Sequence, residues 1–369
     1  MTSSLISDKP SSKVTFPNGN TFRKTLNERV KKYFQENDIK PNNNPAMYLK
    51  TAIILSWIFG TWAFILFGPA IMWLKVLGCV ILGLGIGGGG MSVAHDANHG
   101  SYSTNSRINK ILGLVHDFLG VSSYLWRFRH NFLHHTYTNL DGHDVEIDGS
   151  GVIRMYPNME HKWYHQFQHL FIWFIYPIIP FYWSINEMKL MASSQGKYLN
   201  YSIPKLKTSE LMTFWGMKLL NFVFFVIIPI AVGYTIWQTL LGVMIAFMTY
   251  GFVVCEVFML AHVLEATEFP EVEPESNSIS DEWAIFQIKT TADFAPHNPI
   301  LNWYIGGLNY QTVHHLFPHV CHIHYPKIAP ILTEVCEEFG VKYNVYPTFR
   351  EAIASNYRWL KLMGTASNA

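Results

Sequence analysis

Seven histidines fall into three short clusters whose spacing suits metal coordination. The first is His95-Asp96-Ala97-Asn98-His99. The second is His130-Asn131-Phe132-Leu133-His134-His135, and the third is Gln311-Thr312-Val313-His314-His315. Residues four apart on an α-helix stack on one face. His95 and His99 can therefore aim at one point, and His130 and His134 are expected to do the same. His135 is turned by about 100° from His134 and points to a neighbouring spot, as a ligand of a second, adjacent metal would. His262, at the end of a long apolar run, adds an eighth imidazole, and Gln311 offers a carbonyl oxygen one helical turn before His314 and His315. These donors exceed the four that close a structural zinc site. They divide between two metals, each with a position left open or filled by water. Imidazole suits iron, zinc, copper and nickel, and an open, nitrogen-rich pair at a membrane surface suits iron and dioxygen. A lone His-x-x-x-His pair is more often an ordinary surface feature; the repetition, with two His-His doublets, points to metal.

The elements that carry these residues belong to a membrane protein. Only 14% of the 369 residues are charged and 15% are aromatic, where soluble domains average about 25% charged. Lys plus Arg (27) nearly balance Asp plus Glu (26), so no global field favours nucleic acid as a partner. Cys79, Cys255, Cys321 and Cys336 are scattered and imply no disulfide framework. The polar, Ser-rich N-terminus has no apolar signal-peptide core.

Four long apolar runs stand out: 49–67, 71–93, 214–232 and 236–260. Each approaches the roughly 20 residues that span a bilayer. The turns at Gly68-Pro69 and Gly233-Tyr234-Thr235 are so short that the runs should form two helical hairpins. Inside the second run, Gly87 to Gly90 are expected to permit close helix packing and to loosen the helix before His95. The polar residues singled out within the runs are Lys75, Lys218, Asn221 and Glu256. Leu170 to Ile185 is apolar but short, with Pro177 and Pro180 interrupting it. Parity makes it an interfacial or re-entrant segment: His95 and His262 must reach the same metals, so the chain between them crosses an even number of times. Thr25 to Phe34 reads as a short amphipathic helix. The expected fold class is an all-α integral membrane protein with four transmembrane helices, interfacial helices and a cytoplasmic His-rich helical cap. Positive residues cluster before the first run and between residues 187 and 218, which places the termini and all three clusters in the cytoplasm. The chain divides into a polar segment 1–45, a membrane domain 46–350 and a C-terminal tail 351–369.

The order of HDANH at 95–99, HNFLHH at 130–135 and QTVHH at 311–315, the last within GGLNYQTVHHLFPHVCHIHYP, resembles the membrane fatty acid desaturases from about residue 45 to residue 350. The resemblance implies two irons held by His95, His99, His130, His134, His135, His262, His314 and His315, with Gln311 where many relatives have histidine. That glutamine resembles the front-end, linoleoyl-CoA-type branch. It also implies an activity: dioxygen as cosubstrate, two hydrogens removed from adjacent methylenes, and a cis double bond left in an acyl chain carried on CoA or a phospholipid. A saturated methylene has no acidic proton, so the oxidant must come from a cofactor. Many such relatives carry a fused cytochrome b5 domain; residues 1–45 are too short for one, so a separate donor is expected, cytochrome b5 or ferredoxin with its reductase. The second cluster has three residues between its first two histidines where many acyl-CoA desaturases have two, which is expected to shift His130. The membrane is the plasma membrane in a bacterium and the endoplasmic reticulum in a eukaryote.

Alternatives remain at this level. A hydroxylase or ketolase could use the same diiron scaffold, and a metal transporter would need polar residues deep in its spans. Asp96, Asp144 and His322 are candidates for orienting the ligand imidazoles, against the plainer reading of solvated surface groups. His319 and His324 are read in the same way. His143, His161, His165 and His169 are expected at the membrane interface, and Trp126, Trp303 and Tyr310 along an acyl tunnel or as interfacial anchors.

Overall fold

The computed structural model describes residues 13–19, 21–149, 151–193 and 196–365. Four of its helices are long and apolar enough to cross a membrane: α2 (Pro45–Phe67), α3 (Met72–His99), α8 (Thr208–Ala231) and α9 (Ile236–His262), while α1 (Thr21–Glu36) precedes them. The Leu170 segment is not among them. The starts of the spans are written locally. The Asn44 side chain accepts from Ala46 N with Pro45 in the first turn of α2, and Thr235 and Gln238 form a reciprocal capping box on α9. α3 and α9 pack so closely that a Cβ on Gly83 would lie 2.3 Å from the Ala246 carbonyl oxygen. α2 and α8 flank this pair and leave most of their own surface uncovered, as lipid-facing helices do.

The glycine run does loosen α3. Residues Gly89–Ala94 are π-helical, and the His95 N–H bonds to the Gly90 carbonyl, one residue further back than in an α-helix. His116, on α4 (Ser106–Phe118), reaches the same carbonyl with Nε2 at 3.1 Å. Residues 123–137 form α5, in which Arg127–His134 is again π-helical.

The Leu170 region is a broken helix: α6 (Gln168–Ile175), a 3-10 turn at Tyr176–Ile178, then α7 (Ile179–Ala192). The break falls at Pro177, which has no N–H to continue the ladder. It packs on α9, where Gly251 lets Pro180 and the Tyr176 carbonyl approach to less than 3 Å of an added Cβ.

The remaining elements cover the ends of α3 and α9. A short hairpin, β1 (Lys197–Tyr198) with β2 (Tyr201–Ser202), precedes α8. After α9 come α10 (Trp283–Thr290), β3 (Asp293–Phe294), α11 (Pro299–Tyr304), α12 (Gln311–Leu316), α13 (Tyr325–Phe339), β4 (Val345–Tyr346) and α14 (Phe349–Thr365). β3 and β4 pair in parallel. α1 is longer than the expected 25–34 helix and buries Phe22, Leu26 and Val30 against Ile328, Leu332 and Val335 of α13. The segment set apart as a tail is, up to Thr365, helix α14 locked onto the rest. Arg154 Nη1 donates to the Met363 carbonyl at 2.7 Å, Gln168 Nε2 to that of Leu360 at 2.8 Å, and Asn356 Nδ2 to that of Val263 at 2.8 Å. Residues 1–12 and 366–369 lie outside the described residues. All four cysteines are buried and free.

Candidate metal centre

All eight histidines and Gln311 converge where α3, α5, α9 and α12 meet. They sort into two groups of ring nitrogens, each within 4.8 Å of one another: His95, His99, His130 and His314 in one, and His134, His262 and His315 in the other. His135 stands between them, its ring centroid 4.8 Å from that of His99 and 4.3 Å from that of His315. Gln311 joins the second group, its Nε2 2.9 Å from His262 Nε2 and 3.2 Å from His315 Nε2.

This pairing differs from the expectation that His130 and His134 share a target. The cause is the π-helix at Arg127–His134. Its i to i+5 register brings His130 against His135, with their Nε2 atoms 3.2 Å apart, and turns His134 toward α9.

Outer partners fix how the rings face. His134 Nδ1 is 2.9 Å from Asp144 Oδ2, His315 Nδ1 2.8 Å from Gln287 Oε1, His314 Nδ1 3.1 Å from the Tyr325 hydroxyl, and His262 Nδ1 3.4 Å from the Thr290 carbonyl. A carboxylate and a carbonyl only accept, so the Nδ1 atoms of His134, His315 and His262 carry the proton and their Nε2 is left as the free base facing inward; the Tyr325 hydroxyl, which can donate or accept, orients the His314 ring without setting its tautomer. Asp144 is itself locked by the N–H groups of Asn139 and Glu146, each at 2.9 Å. Thr138 Oγ1 donates to Gln287 Oε1 at 2.8 Å, and Asn139 Nδ2 donates to the His262 carbonyl at 2.9 Å, tying the turn that follows α5 to α10 and α9.

The inward nitrogens fit a metal. His99 Nε2, His134 Nε2 and His314 Nε2 are buried without any hydrogen-bond partner. Orphaned buried groups are rare and costly, and these three belong to rings of the two groups, His99 and His314 in the first and His134 in the second. Burial, then repulsion from neighbouring imidazoles, pushes His130, His135, His314 and His315 well below the usual histidine range. They are held neutral, the form that ligates.

Asp96 is buried beside His95, but its close partner is His322: Nδ1 to Oδ2 is 2.8 Å, against 3.9 Å from Asp96 Oδ1 to His95 Nδ1. Of the other histidines, His319 is exposed and His324 buried. His165 and His169 are buried within the protein rather than standing at its surface, His143 pairs with the Tyr201 hydroxyl, and His161 reaches the Gly364 carbonyl at 2.8 Å. A cavity of about 540 Å³ opens onto the centre, lined by His95, His130 and Gln311 and by apolar side chains including Met91, Val254, Phe258 and Leu308. Trp126 lines it. Trp303 and Tyr310 do not: Tyr310 packs in the α1–α13 core, and Trp303 sits over Lys50.

Sequence reasoning missed Gln287, Thr290, Tyr325 and Lys50. Gln287 and Thr290 carry no local signal, and Tyr325 lies in the stretch around the third cluster without a spacing that marks it. Lys50 does carry a signal: it is a charge inside an apolar run.

Residues 71–347 match the fatty acid desaturase family model. The chain is 56% identical to the sn-1 linoleoyl-lipid 6-desaturase of Arthrospira platensis, over 95% of each chain. It is 52% identical to the protein of that name from Synechocystis, over 96% of this chain and 99% of that one. An acyl-lipid (8-3)-desaturase of Physcomitrium patens is 33% identical over 93% of this chain and 72% of its own. With the family model covering more than half of its length and eight of its histidines gathered into one centre, this chain belongs to the fatty acid desaturase family.

Proposed function

We propose that this desaturase, an oxidoreductase of lipid metabolism, uses two irons and dioxygen to place a cis double bond at carbon 6 of a linoleoyl chain esterified in a membrane lipid. The observation that carries the reading is the cavity: a largely apolar space of about 540 Å³ that touches His95 and His130 of one histidine group and Gln311 of the other. It suits an alkyl chain and ends where oxidation would occur. The relatives named above supply the bond position and the acyl carrier.

His95, His99, His130 and His314 would hold one iron, His134, His262 and His315 the other, with His135 between them and Gln311 beside the second. Bound there, the iron pair supplies the dioxygen-derived oxidant that an unactivated methylene requires. The chain's own residues do the rest. Asp144, Gln287, Tyr325 and Thr290 keep the imidazoles aimed. Phe258, Val254 and Leu308 exclude water from the oxidant and align the acyl chain. Electrons come from a separate donor, cytochrome b5 or ferredoxin with its reductase. The centre lies on the cytoplasmic side of the membrane.

The test is expression in a host whose lipids carry linoleoyl chains, with double bonds located by mass spectrometry. A new bond at carbon 6 in intact lipid, and about two irons per purified chain, are expected. His315→Ala should still insert in the membrane but lose iron and activity. An alcohol product would make the enzyme a hydroxylase; full activity in iron-free protein would refute the metal reading.

A further inference from the structure

Just outside the two histidine groups lies a third set of potential ligands: Asp96, Cys321 and His322 are all buried, with one donor atom of each within 4.8 Å of the others. The cation for this set is already part of the chain. Lys50, only 3% exposed near the start of α2, places Nζ 2.9 Å from His322 Nε2. It also lies over the Trp303 ring, 5.2 Å from the centroid. An ammonium can only donate, so His322 Nε2 must accept. Its proton is therefore on Nδ1, and that N–H donates to Asp96 Oδ2 at 2.8 Å, joined at 3.3 Å by the backbone N–H of His322. The other carboxylate oxygen of Asp96 stands 3.9 Å from His95 Nδ1, a buried nitrogen with no hydrogen-bond partner. A row of side chains thus runs from the first span, through the loop after the third cluster, to a histidine of the metal centre.

A lysine buried in a span is expensive, and packing alone would be met by an apolar side chain of similar length. What the ammonium adds is an anchor. The Asp96 carboxylate, which can only accept, already requires the proton on His322 Nδ1; Lys50 holds the opposite nitrogen, so the ring is pinned from both sides. Without the ammonium the imidazole is held by Asp96 alone and is free to tilt. We propose that Lys50 is a positioning residue for the metal centre: by holding His322 Nε2 it keeps that ring, and with it the Asp96 carboxylate, in place beside His95. The inference rests on the reading of His95 as a metal ligand.

The experiment uses the full iron-loaded chain, purified as wild type, Lys50→Met and Lys50→Arg. Iron release to a chelator is followed in time, and the two iron environments are recorded by Mössbauer spectroscopy. Partners of ligand imidazoles typically change metal affinity by about 10–100-fold. Lys50→Met should therefore release one iron at least about tenfold faster than wild type, with a changed spectrum at that iron and the other unaltered. Lys50→Arg, which keeps a donor-only cation, should restore slow release. Wild-type release of both irons from Lys50→Met overturns the proposal, and so does equal loss of both irons from both variants, which would mean general loosening. A wild-type chain without iron overturns the metal reading itself and this inference with it; an iron-bound wild type with an unchanged Lys50→Met overturns this inference alone.

Discussion

The Nε2 atoms of His130 and His135 stand 3.2 Å apart, five residues along one helix. An α-helix would put them on different faces. The π-helical turn between them, closed by the His135 N–H on the His130 carbonyl, brings them together and lets His134 face the other group. A π-turn is how a helix absorbs one extra residue, and the second cluster carries one more residue than the shorter spacing common among acyl-CoA desaturases.

Removing that residue should therefore be tolerated better than adding another. Deletion of Phe132, which is 47% exposed, returns the turn to α-helical spacing with His130 and His135 four apart. We expect the deletion to keep most of its iron and an alanine inserted after Phe132 to lose at least one of the two. Iron analysis of the purified variants decides it; the reverse order would remove the π-turn from the explanation.

Gln311 sits between His262 and His315 and touches both. Gln311→Ala leaves two inward nitrogens without their neighbour and should lower turnover by on the order of tenfold or more. Gln311→His puts an imidazole at the same position and should keep some turnover. Wild-type rates in Gln311→Ala would show that the amide has no part in the centre.

Acid should destabilise the metal-free protein. His130, His135, His314 and His315 are held below the unfolded histidine value of about 6.5 by burial and by one another. The unfolded chain therefore binds more protons than the folded one below that pH. Stability is fully present above about 6.5 and is lost as pH falls toward the folded values, by up to about 1.4 kcal/mol per pH unit for each histidine. The apparent melting temperature of metal-free protein in detergent should fall from pH 7 to pH 5, and bound metal should flatten the profile. A metal-free profile that is flat across this window contradicts the assignment of neutral, buried imidazoles.

The α6–α7 segment should leave and return to one side of the membrane. Gln168 is fully buried and cannot be labelled. Trp163, 75% exposed, and Lys189, also exposed, flank the segment. Single cysteines at these two positions, in a background without the native cysteines, should both react with an impermeant thiol reagent from the cytoplasmic side. Reaction from opposite sides would sink the four-span topology.

Much of this protein is local and so could be read in the chain itself. The apolar runs report their length and hydrophobicity directly, and the caps at Asn44 and Thr235 are set by residues two or three positions away. The histidine clusters announce metal by residue type and repetition. Pro177 marks the break between α6 and α7 because a proline has no N–H wherever it lies.

What the chain could not show was how the donors divide. Assigning His130 to His95 and His134 to His262 depends on a π-register at Arg127–His134, which the i to i+4 stacking of an α-helix does not anticipate. Gln287 and Tyr325 orient His315 and His314 from other elements; Gln287 lies in no motif, and Tyr325, although inside the stretch around the third cluster, shows its role only once the chain has turned back. Residues 351–369 read as a C-terminal tail, but up to Thr365 they belong to a helix that hydrogen bonds of Arg154, Gln168 and Asn356 fasten to the core. Lys50 was plain in the sequence as a charge in an apolar run, but its meaning was not. Only the fold brings His322, 272 residues away, to its ammonium, because hydrogen bonds between distant side chains exist only once tertiary packing has placed them.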